Sequence, residues 1–414
     1  MLSPEVLTKI RNDLANKVTQ TTVASTYSIS RSLVSDIATG RAYKETSGTF
    51  NPTDDRILEL ESEVQLLKEE GRRAETKIKA RAKTAGLFKA IVSEMEQRVK
   101  PFKSLPSLYK PSSKKKIVEH VVMHLSDGHH DQVVKPDQVG GLEKHDFQVA
   151  CARAEKYVDT VLDFTQGTLA PTYRFPVLTV LAYGDFTCGE IHNAVSRSYY
   201  QNQFRNCLAI GQMHALMYRD LAPHFQHINI LYLSGNHGRR TVKKDYYGAN
   251  ENWDYLVAQI ARLYCRDLEN VAFTIPDAWS ANLVINGIGF NVSHGDDVHS
   301  NSGLPWYGMV RRQKGLIALN SFQGGPRVRY YCVGHHHTAS TLSDVDGELL
   351  VNGAWIGTDP FSYNALAGYR DPCQWLHGVH EKYGVTWRLG IKLRSEIETP
   401  KRYLIDGGRE VGPC

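Results

Sequence analysis

Apolar residues recur every three or four positions over residues 6–14, which is the spacing of an amphipathic helix. Ser3, just before this stretch, is a residue type that caps helix N-termini. Two shorter segments with the same spacing follow at 20–27 and 30–39. We therefore predict a small helical unit over residues 1–48.

Residues 20–44 have the layout of a helix-turn-helix, with a polar turn before the last predicted helix. That helix would present Arg31 and Ser32 to a DNA groove, with Arg41 and Lys44 near phosphates. The segment resembles small DNA-binding modules appended to homing nucleases and phage enzymes. A three-helix module that binds another protein is the alternative.

A second apolar repeat, with spacings of three and four, covers 54–100 and predicts a long helix of about six heptads. Charged residues flank the repeat, which favours a coiled coil between copies of the chain. The alternative is one or two helices folded onto the domain that follows. The repeat over 54–100 comprises Ile57, Leu60, Val64, Leu67, Gly71, Ala74, Ile78, Arg81, Ala85, Phe88, Val92, Met95 and Val99.

Prolines and lysines in 101–116 predict a stiff basic linker.

From residue 117 the pattern changes to alternating strand, loop and helix, which predicts an α/β domain over 117–400 with sheets covered by helices. Residues 401–414 would form a tail. Helices are predicted near 144–166, 198–222 and 251–268. Buried strands are predicted at 118–125, 176–183, 228–233, 283–293 and 330–333.

Charge and histidine are unevenly distributed along the 414 residues. Residues 1–120 carry 22 Lys and Arg against 15 Asp and Glu, whereas residues 121–414 carry 27 against 29. The excess of positive charge at the front is where a polyanion such as DNA would bind. All 17 histidines lie at or after His120, so we expect metal chemistry or proton transfer only in the second part.

Residue types that ligate metals follow each predicted strand. In open α/β folds, ligands bind beyond the carboxyl ends of strands. Residues two apart in extended chain point to the same side, so Asp127 and His129 are expected to converge, as are His335 and His337. The motifs are Asp127-Gly128-His129, Gly184-Asp185, Gly235-Asn236-His237, His294-Gly295-Asp296 and Gly334-His335-His336-His337.

Each motif alone is common in turns, but five in this order favour a metal site. Mixed carboxylate, amide and imidazole donors suit Mn, Fe or Zn better than Ca. Two divalent ions about 3.5–4 Å apart could share Asp185, activate a bridging water and hold phosphate oxygens.

Over about 117–395, these motifs resemble those of the calcineurin-like metallophosphoesterases. The runs HLSDGHHD, GNH and GHHHT look most like the DNA repair exonuclease branch and its phage relatives, as do HGDDVHSNSGLPWYG and VNGAWIGTDPFSYN. The resemblance implies a sandwich of two sheets flanked by helices. It also implies two divalent ions, for which we expect Mn²⁺, with Fe, Zn or Mg as alternatives.

The family pattern implies a role for each motif residue. Asp185 would bridge the two ions and take part in catalysis. His237 would be the second catalytic residue, because it would contact the scissile phosphate and help to protonate the leaving oxygen. The other ligands would be Asp127, His129 and His337 for the first ion, and Asn236, His294 and His335 for the second.

One position departs from the family pattern. Repair exonucleases commonly have Asp after the GNH histidine, where it polarises the ring, whereas this chain has Gly238. Asp296 or Asp297 could supply the carboxylate from another loop.

Two pairs of arginines are further candidate DNA contacts, because cationic side chains neutralise phosphates. Arg239 and Arg240 follow the third motif, and Arg311 and Arg312 follow the fourth. A solvated run of charge is the alternative.

We expect a nuclease that hydrolyses DNA phosphodiester bonds, with the helical front delivering DNA and the long helix joining copies of the chain. A phosphatase or a small-molecule phosphodiesterase, for example for cyclic nucleotides, is the first alternative. A non-catalytic DNA-binding scaffold is the second. No apolar run approaches the roughly 18 residues of a membrane span, so we expect a cytoplasmic protein, in the bacterial host if the chain is phage-encoded.

Overall fold

The computed structural model describes residues 2–43, 52–101, 103, 116–244, 246, 248–298, 304–345, 347–396 and 398–406, without the side chains of 52–61, 192 and 193. Lys44 and most of the predicted linker therefore lie outside the described residues. The chain divides into two compact units, Met1–Ala80 and Arg81–Cys414. Among the described residues, no helix combines the length and apolarity needed to cross a membrane.

Strands and helices alternate after residue 116, so the prediction of a mixed α/β chain is confirmed. The helices are α1 Pro4–Ala15, α2 Gln20–Thr26, α3 Arg31–Ala38, α4 Pro52–Arg98, α5 Phe147–Leu162, α6 Gln203–Leu221, α7 Trp253–Tyr264, α8 Trp306–Phe322 and α9 Pro360–Leu366. The strands are β1 Ile117–Val118, β2 His120–Leu125, β3 Tyr173–Arg174, β4 Val177–Tyr183, β5 His227–Leu233, β6 Val271–Thr274, β7 Ser280–Ile285, β8 Ile288–Ser293, β9 Val328–Val333, β10 Ser340–Asp344, β11 Gly347–Val351, β12 Cys373–His380 and β13 Gly384–Lys392.

In the first unit, α1, α2 and α3 pack around a small apolar core. Each helix begins at a hydroxyl cap that accepts a hydrogen bond from the backbone N–H three residues later; the caps are Ser3, Thr19 and Ser30. This packing is compatible with both hypotheses for the unit, DNA binding and protein binding. The core residues are Ile10, Val23, Val34 and Ile37.

The long helix α4 continues from the first unit into the second. Residues 62–80, in the first unit, are all exposed. In the second unit, Phe88 is buried and contacts Trp253 edge-on, with 5.4 Å between ring centroids, and Met95 packs against the same core. The last heptads therefore pack against their own domain, whereas the earlier ones face solvent.

The larger sheet has the strand order β13-β12-β2-β4-β5-β6. Strands β2, β4, β5 and β6 are parallel, and β12 and β13 add an antiparallel edge. Helices α5, α6 and α7 cover one face and bury residues such as Tyr157, Met213 and Val257 against Leu178 and Val180. The carboxyl ends of β2, β4 and β5 consequently lie along one edge.

The smaller sheet has the strand order β10-β11-β9-β8-β7. Its Phe290 and Tyr330 share a buried cluster with Val122 and Leu181 of the larger sheet, so the two sheets form a sandwich. Helix α8 covers the other face through Met309.

The segment 283–293, predicted as one strand, is instead parts of β7 and β8, which pair as an antiparallel hairpin. The turn lies at Asn286 and Gly287, with φ values of 47° and 82°. The prediction of a single strand was wrong because apolar residues flank the turn on both sides and hide it. Asn-Gly is the usual sequence of such a two-residue turn.

Residues 401–406, which the sequence placed in a tail, pack onto α5 and α6. The Glu155 carboxylate accepts hydrogen bonds from the backbone N–H groups of Lys401, Arg402 and Tyr403. Tyr403 is buried and donates its hydroxyl to Asp220 at 2.8 Å. These residues thus belong to the packed domain.

We predict that Phe88→Ala lowers the free energy of unfolding of the second unit by about 3–5 kcal/mol, because it removes a buried ring and leaves a cavity. Leu87, its neighbour on α4, is 44% exposed, so Leu87→Ala should change stability by less than about 1 kcal/mol. Urea denaturation followed by tryptophan fluorescence measures both. Equal effects of the two substitutions would show that this part of α4 is not packed on the domain.

Candidate metal centre

Loops at strand ends carry the candidate ligands. In the larger sheet, the parallel neighbours β2, β4 and β5 bring Asp127, Asp185 and Asn236 to one edge. In the smaller sheet, β8 and β9 are also parallel neighbours, and they end just before His294 and His335. The sandwich therefore gathers donors from both sheets.

The backbone is left-handed at five of the candidate ligands. The φ angle is 52° at Asp127, 40° at His129, 57° at Asp185, 65° at His335 and 52° at His337. Non-glycine residues rarely adopt this conformation, which costs roughly 1–3 kcal/mol at each position. Asp127 and His129 do converge as predicted, but through left-handed backbone and not through the alternation of an extended chain. The prediction that His335 and His337 converge was wrong, because they belong to different groups of donors.

Asp127, His129 and His337 form a first donor group, with ligand atoms within 4.8 Å of one another. His337 Nε2 lies 3.4 Å from Asp127 Oδ1 and 3.3 Å from His129 Nε2. Ser126 Oγ donates to Asp127 Oδ2 at 2.5 Å, and the backbone N–H of His335 donates to Oδ1 at 2.7 Å. The protein itself therefore fixes the buried Asp127 carboxylate.

Asp185, His294 and His335 form a second group with the same spacing. His294 Nε2 lies 3.0 Å from both Asp185 Oδ2 and Asn236 Oδ1. The backbone N–H of His237 donates to Asp185 Oδ1 at 2.7 Å. Asp185 is thereby held by loops from both sheets.

A third group, His129, Asp185 and His237, joins the other two, because it shares His129 with the first and Asp185 with the second. The rings of His129 and His237 lie 4.7 Å apart between centroids. A carboxylate that belongs to two of the groups, as Asp185 does, could bridge two adjacent ions. The structure thus brings together Asp127, His129, Asp185, Asn236, His237, His294, His335 and His337.

Burial and charge keep most of these donors in the deprotonated form that binds metals. Burial lowers the pKa of His129 and of His335 to about 3. His294 and His337 differ: burial lowers the pKa of each, but the Asp185 carboxylate raises the pKa of His294 to about 10 and the hydrogen bond to Asp127 raises the pKa of His337. An ion bound there would displace a proton from His294.

Two divalent ions fit this donor set. The buried Asp127 and Asp185 carboxylates place negative charge in the interior, where charge without a partner is costly. The Nε2 atoms of His129 and His337 lie 3.3 Å apart, a separation that lets both rings bind one ion. Together with the Asn236 amide, these donors are those that Mn, Fe or Zn prefer.

His237 is half-buried at the edge of the donor groups. Its Nδ1 lies 3.3 Å from the carbonyl oxygen of Cys188, which can accept a hydrogen bond from Nδ1–H and so fix the tautomer. Asp296 and Asp297, which the sequence suggested as orienting carboxylates, form ion pairs with basic side chains instead.

The predicted DNA contacts fall into two sets. Arg31, Ser32 and Arg41 are exposed in the first unit, and Arg311 is exposed on α8. The other arginines contact their own domain: Arg239 Nε donates to the Asn236 carbonyl at 3.0 Å, Arg240 Nη1 to Thr84 Oγ1 at 2.8 Å, and Arg312 pairs with Asp297.

Sequence reasoning missed one buried carboxylate at the site, Asp254 on α7. It binds the backbone at Asp185, 69 positions earlier in the chain. The sequence carries no local signal for this contact, because the residue lies outside every motif.

No family model and no curated protein matches the chain. Solved structures with a similar fold include an archaeal phosphodiesterase, with 10% identity, coverage of 66% of this chain and 99% of that one, and a TM-score of 0.29. Vps29 from Entamoeba histolytica complexed with Zn²⁺ has 11% identity, coverage of 66% and 99%, and a TM-score of 0.27. A hypothetical protein from Pyrococcus horikoshii has 10% identity, coverage of 68% and 91%, and a TM-score of 0.34. Similarities this low do not decide the function, which depends on the site.

We predict that the protein binds two Mn²⁺ ions per chain and that Asp185→Asn weakens binding at both sites at least tenfold, because the carboxylate charge is shared. Isothermal titration calorimetry measures the stoichiometry and both affinities. Asp137→Asn, at an exposed position, is the control and should bind like the wild type. Unchanged binding by Asp185→Asn would contradict the bridging assignment.

Proposed function

We propose that the chain is a metal-dependent phosphodiesterase and that its substrate is DNA. The observation that carries this proposal is the joined set of donor groups in which His129 and Asp185 are each shared. Bound divalent ions would supply a nucleophilic water at neutral pH and neutralise charge on the phosphate. Mn²⁺ is the proposed ion, with Fe, Zn or Mg as alternatives. The motif resemblance to the calcineurin-like metallophosphoesterases supports the same reaction class.

The proposed role of His237 is proton donation to the leaving oxygen. Donation requires the doubly protonated ring, in which Nδ1–H donates a hydrogen bond to the Cys188 carbonyl oxygen and the proton on Nε2 passes to the leaving oxygen. Its half-buried position, in contrast to the buried Asp185, gives a substrate access to the ring. A positioned histidine of this kind typically contributes about 10²–10⁴-fold to the rate.

Charge and aromatic exposure support DNA as the substrate. Residues 1–120 carry the excess of positive charge, and Arg31 and Arg41 are exposed there. On α8, Tyr307 is 84% exposed and lies one helical turn from the exposed Arg311. A ring and a guanidinium at this spacing can stack on a base and neutralise a phosphate.

A phosphatase or small-molecule phosphodiesterase is the second candidate. It is favoured by the near-neutral charge balance of residues 121–414, which carry 27 basic and 29 acidic residues. A catalytic domain without excess positive charge would depend on residues 1–120 to hold DNA.

We also propose that α4 joins copies of the chain. In its exposed part, heptad-compatible positions are occupied by Val64, Leu67 and Ile78, which are 45%, 59% and 65% exposed, respectively. Ion pairs flank this stripe, for example Glu75 with Lys79.

We predict Mn²⁺-dependent cleavage of DNA by the purified protein, and a loss of about 100-fold or more in kcat for His237→Ala. Linear, circular, single-stranded and double-stranded DNA are to be compared on gels, with bis(p-nitrophenyl) phosphate as a small substrate. His227→Ala, at the exposed start of β5, is the control and should keep wild-type activity. Hydrolysis of the small substrate with every DNA form left intact would exclude the nuclease and favour the second candidate.

We predict that the double substitution Arg31→Glu and Arg41→Glu weakens DNA binding and flattens its salt dependence, because fewer counterions are released. Turnover of bis(p-nitrophenyl) phosphate should not change. Fluorescence anisotropy at several salt concentrations measures the slope, and Lys9→Glu on α1 is the charge-reversal control. If the double variant binds DNA like Lys9→Glu, the first unit binds a protein or nothing.

A further inference from the structure

The Asp254 carboxylate lies between two loops that carry candidate ligands. Its Oδ2 accepts hydrogen bonds from the backbone N–H groups of Asp185 at 2.8 Å and of Gly235 at 2.9 Å. Its Oδ1 accepts a third, from Phe186 at 3.1 Å. Asp254 is 1% exposed. One carboxylate therefore ties the loop after β4 to the loop after β5.

The two residues before Asp254 hold the second of these loops. Asn252 Nδ2 donates to the Gly235 carbonyl at 2.9 Å, and the backbone N–H of Trp253 donates to the Gly238 carbonyl at 2.8 Å. Asn252 Oδ1 in turn accepts from the Asp254 backbone at 2.9 Å. The start of α7 thus binds the backbone on both sides of Asn236 and His237.

The fit leaves no room for side chains at the glycines of this loop. A Cβ at Gly238 would lie 1.9 Å from Asn252 Oδ1, and a Cβ at Gly235 would lie 2.3 Å from Asp185 Oδ1. The position after His237, where the family pattern has Asp, is glycine here because Asn252 and Asp254 fill the space.

This arrangement carries an electrostatic cost and a backbone cost. Asp185 and Asp254 are both buried, and two carboxylates this close disfavour each other's charge. Asp185 also has a left-handed backbone, with φ of 57°, which persists only when its surroundings hold it. Hydrogen bonds from N–H groups to a carboxylate are stronger than neutral ones and can supply this restraint.

We propose that Asp254 is a positioning residue that sets the separation of the Asp185 and Asn236 ligand atoms, and with it the affinity of the second ion. The inference rests on the proposed metal centre and is independent of the substrate. Asp254 touches neither ion nor substrate in this scheme. It acts through the backbone of the residues that do.

The test measures Mn²⁺ binding to the Asp254→Asn variant of the 414-residue chain by calorimetry and electron paramagnetic resonance. We expect 10–100-fold weaker binding at the second site, the range seen when residues behind metal ligands are replaced. The first site, at Asp127, His129 and His337, should change less than about threefold. Asp220→Asn on α6, whose carboxylate accepts a hydrogen bond from Tyr403 and belongs to none of the donor groups, is the control and should leave both sites unchanged.

A kinetic readout separates positioning from a general loss of structure. If Asp254 acts through the second ion, raising the Mn²⁺ concentration should restore most of kcat while KM for the substrate stays constant. A folded Asp254→Asn protein with wild-type affinity at both sites would overturn the proposal.

If Asp254→Asn does not fold, Asp254→Glu gives the same test, because it keeps a carboxylate but adds one methylene between the backbone of α7 and the N–H groups of Asp185 and Gly235. About tenfold weaker binding at the second site, with an unchanged circular dichroism spectrum, supports the proposal, and unchanged binding overturns it. The titration needs no turnover, so a wild-type protein that binds two ions but hydrolyses nothing would contradict only the proposed function.

Discussion

The burial of Asp185 is the constraint on which the rest of the site depends. A buried carboxylate needs partners, and those of Asp185 come from two other segments: His237 from the loop after β5 and His294 from the loop after β8. Asp254 on α7 accepts a hydrogen bond from the backbone N–H of the same residue. To reach it, the two sheets must face each other with their strand ends at one edge. The glycines at 184 and 235 follow from this, because a Cβ at either would collide with the neighbouring loop.

Several histidines outside the motifs have a structural role in the interior of the same domain. His124 bonds Tyr183 at 2.7 Å and lies 3.2 Å from His377 inside the sandwich. His214 bonds Tyr232 at 2.8 Å and lies 3.2 Å from His130, the residue after the candidate ligand His129. These rings satisfy buried polar groups near the centre, so the histidine-rich second part reflects a supporting network as well as the ligands.

Features of the site that depend on neighbouring residues could be predicted from the sequence. Features that depend on contacts between distant segments could not. The strands before Asp127 and Asp185 could be predicted from an apolar run followed by Ser-Asp-Gly or Gly-Asp, and the parallel order then places these residues at one edge. The left-handed backbone at His129 and His335 could not be read, because nothing in a residue's identity marks a turn forced by tertiary packing. Asp254 was missed for the same reason, and the β7–β8 turn was missed although Asn286-Gly287 marked it.

The central claim is that two ions lie side by side and share Asp185. Crystals of the protein grown with Mn²⁺ and measured at the manganese absorption edge test it most directly. The account predicts two anomalous peaks about 3.5–4 Å apart, both next to the Asp185 carboxylate. One set of ligands would surround each peak: Asp127, His129 and His337 for the first, and Asn236, His294 and His335 for the second. A single peak, or two peaks that do not share Asp185, would contradict it.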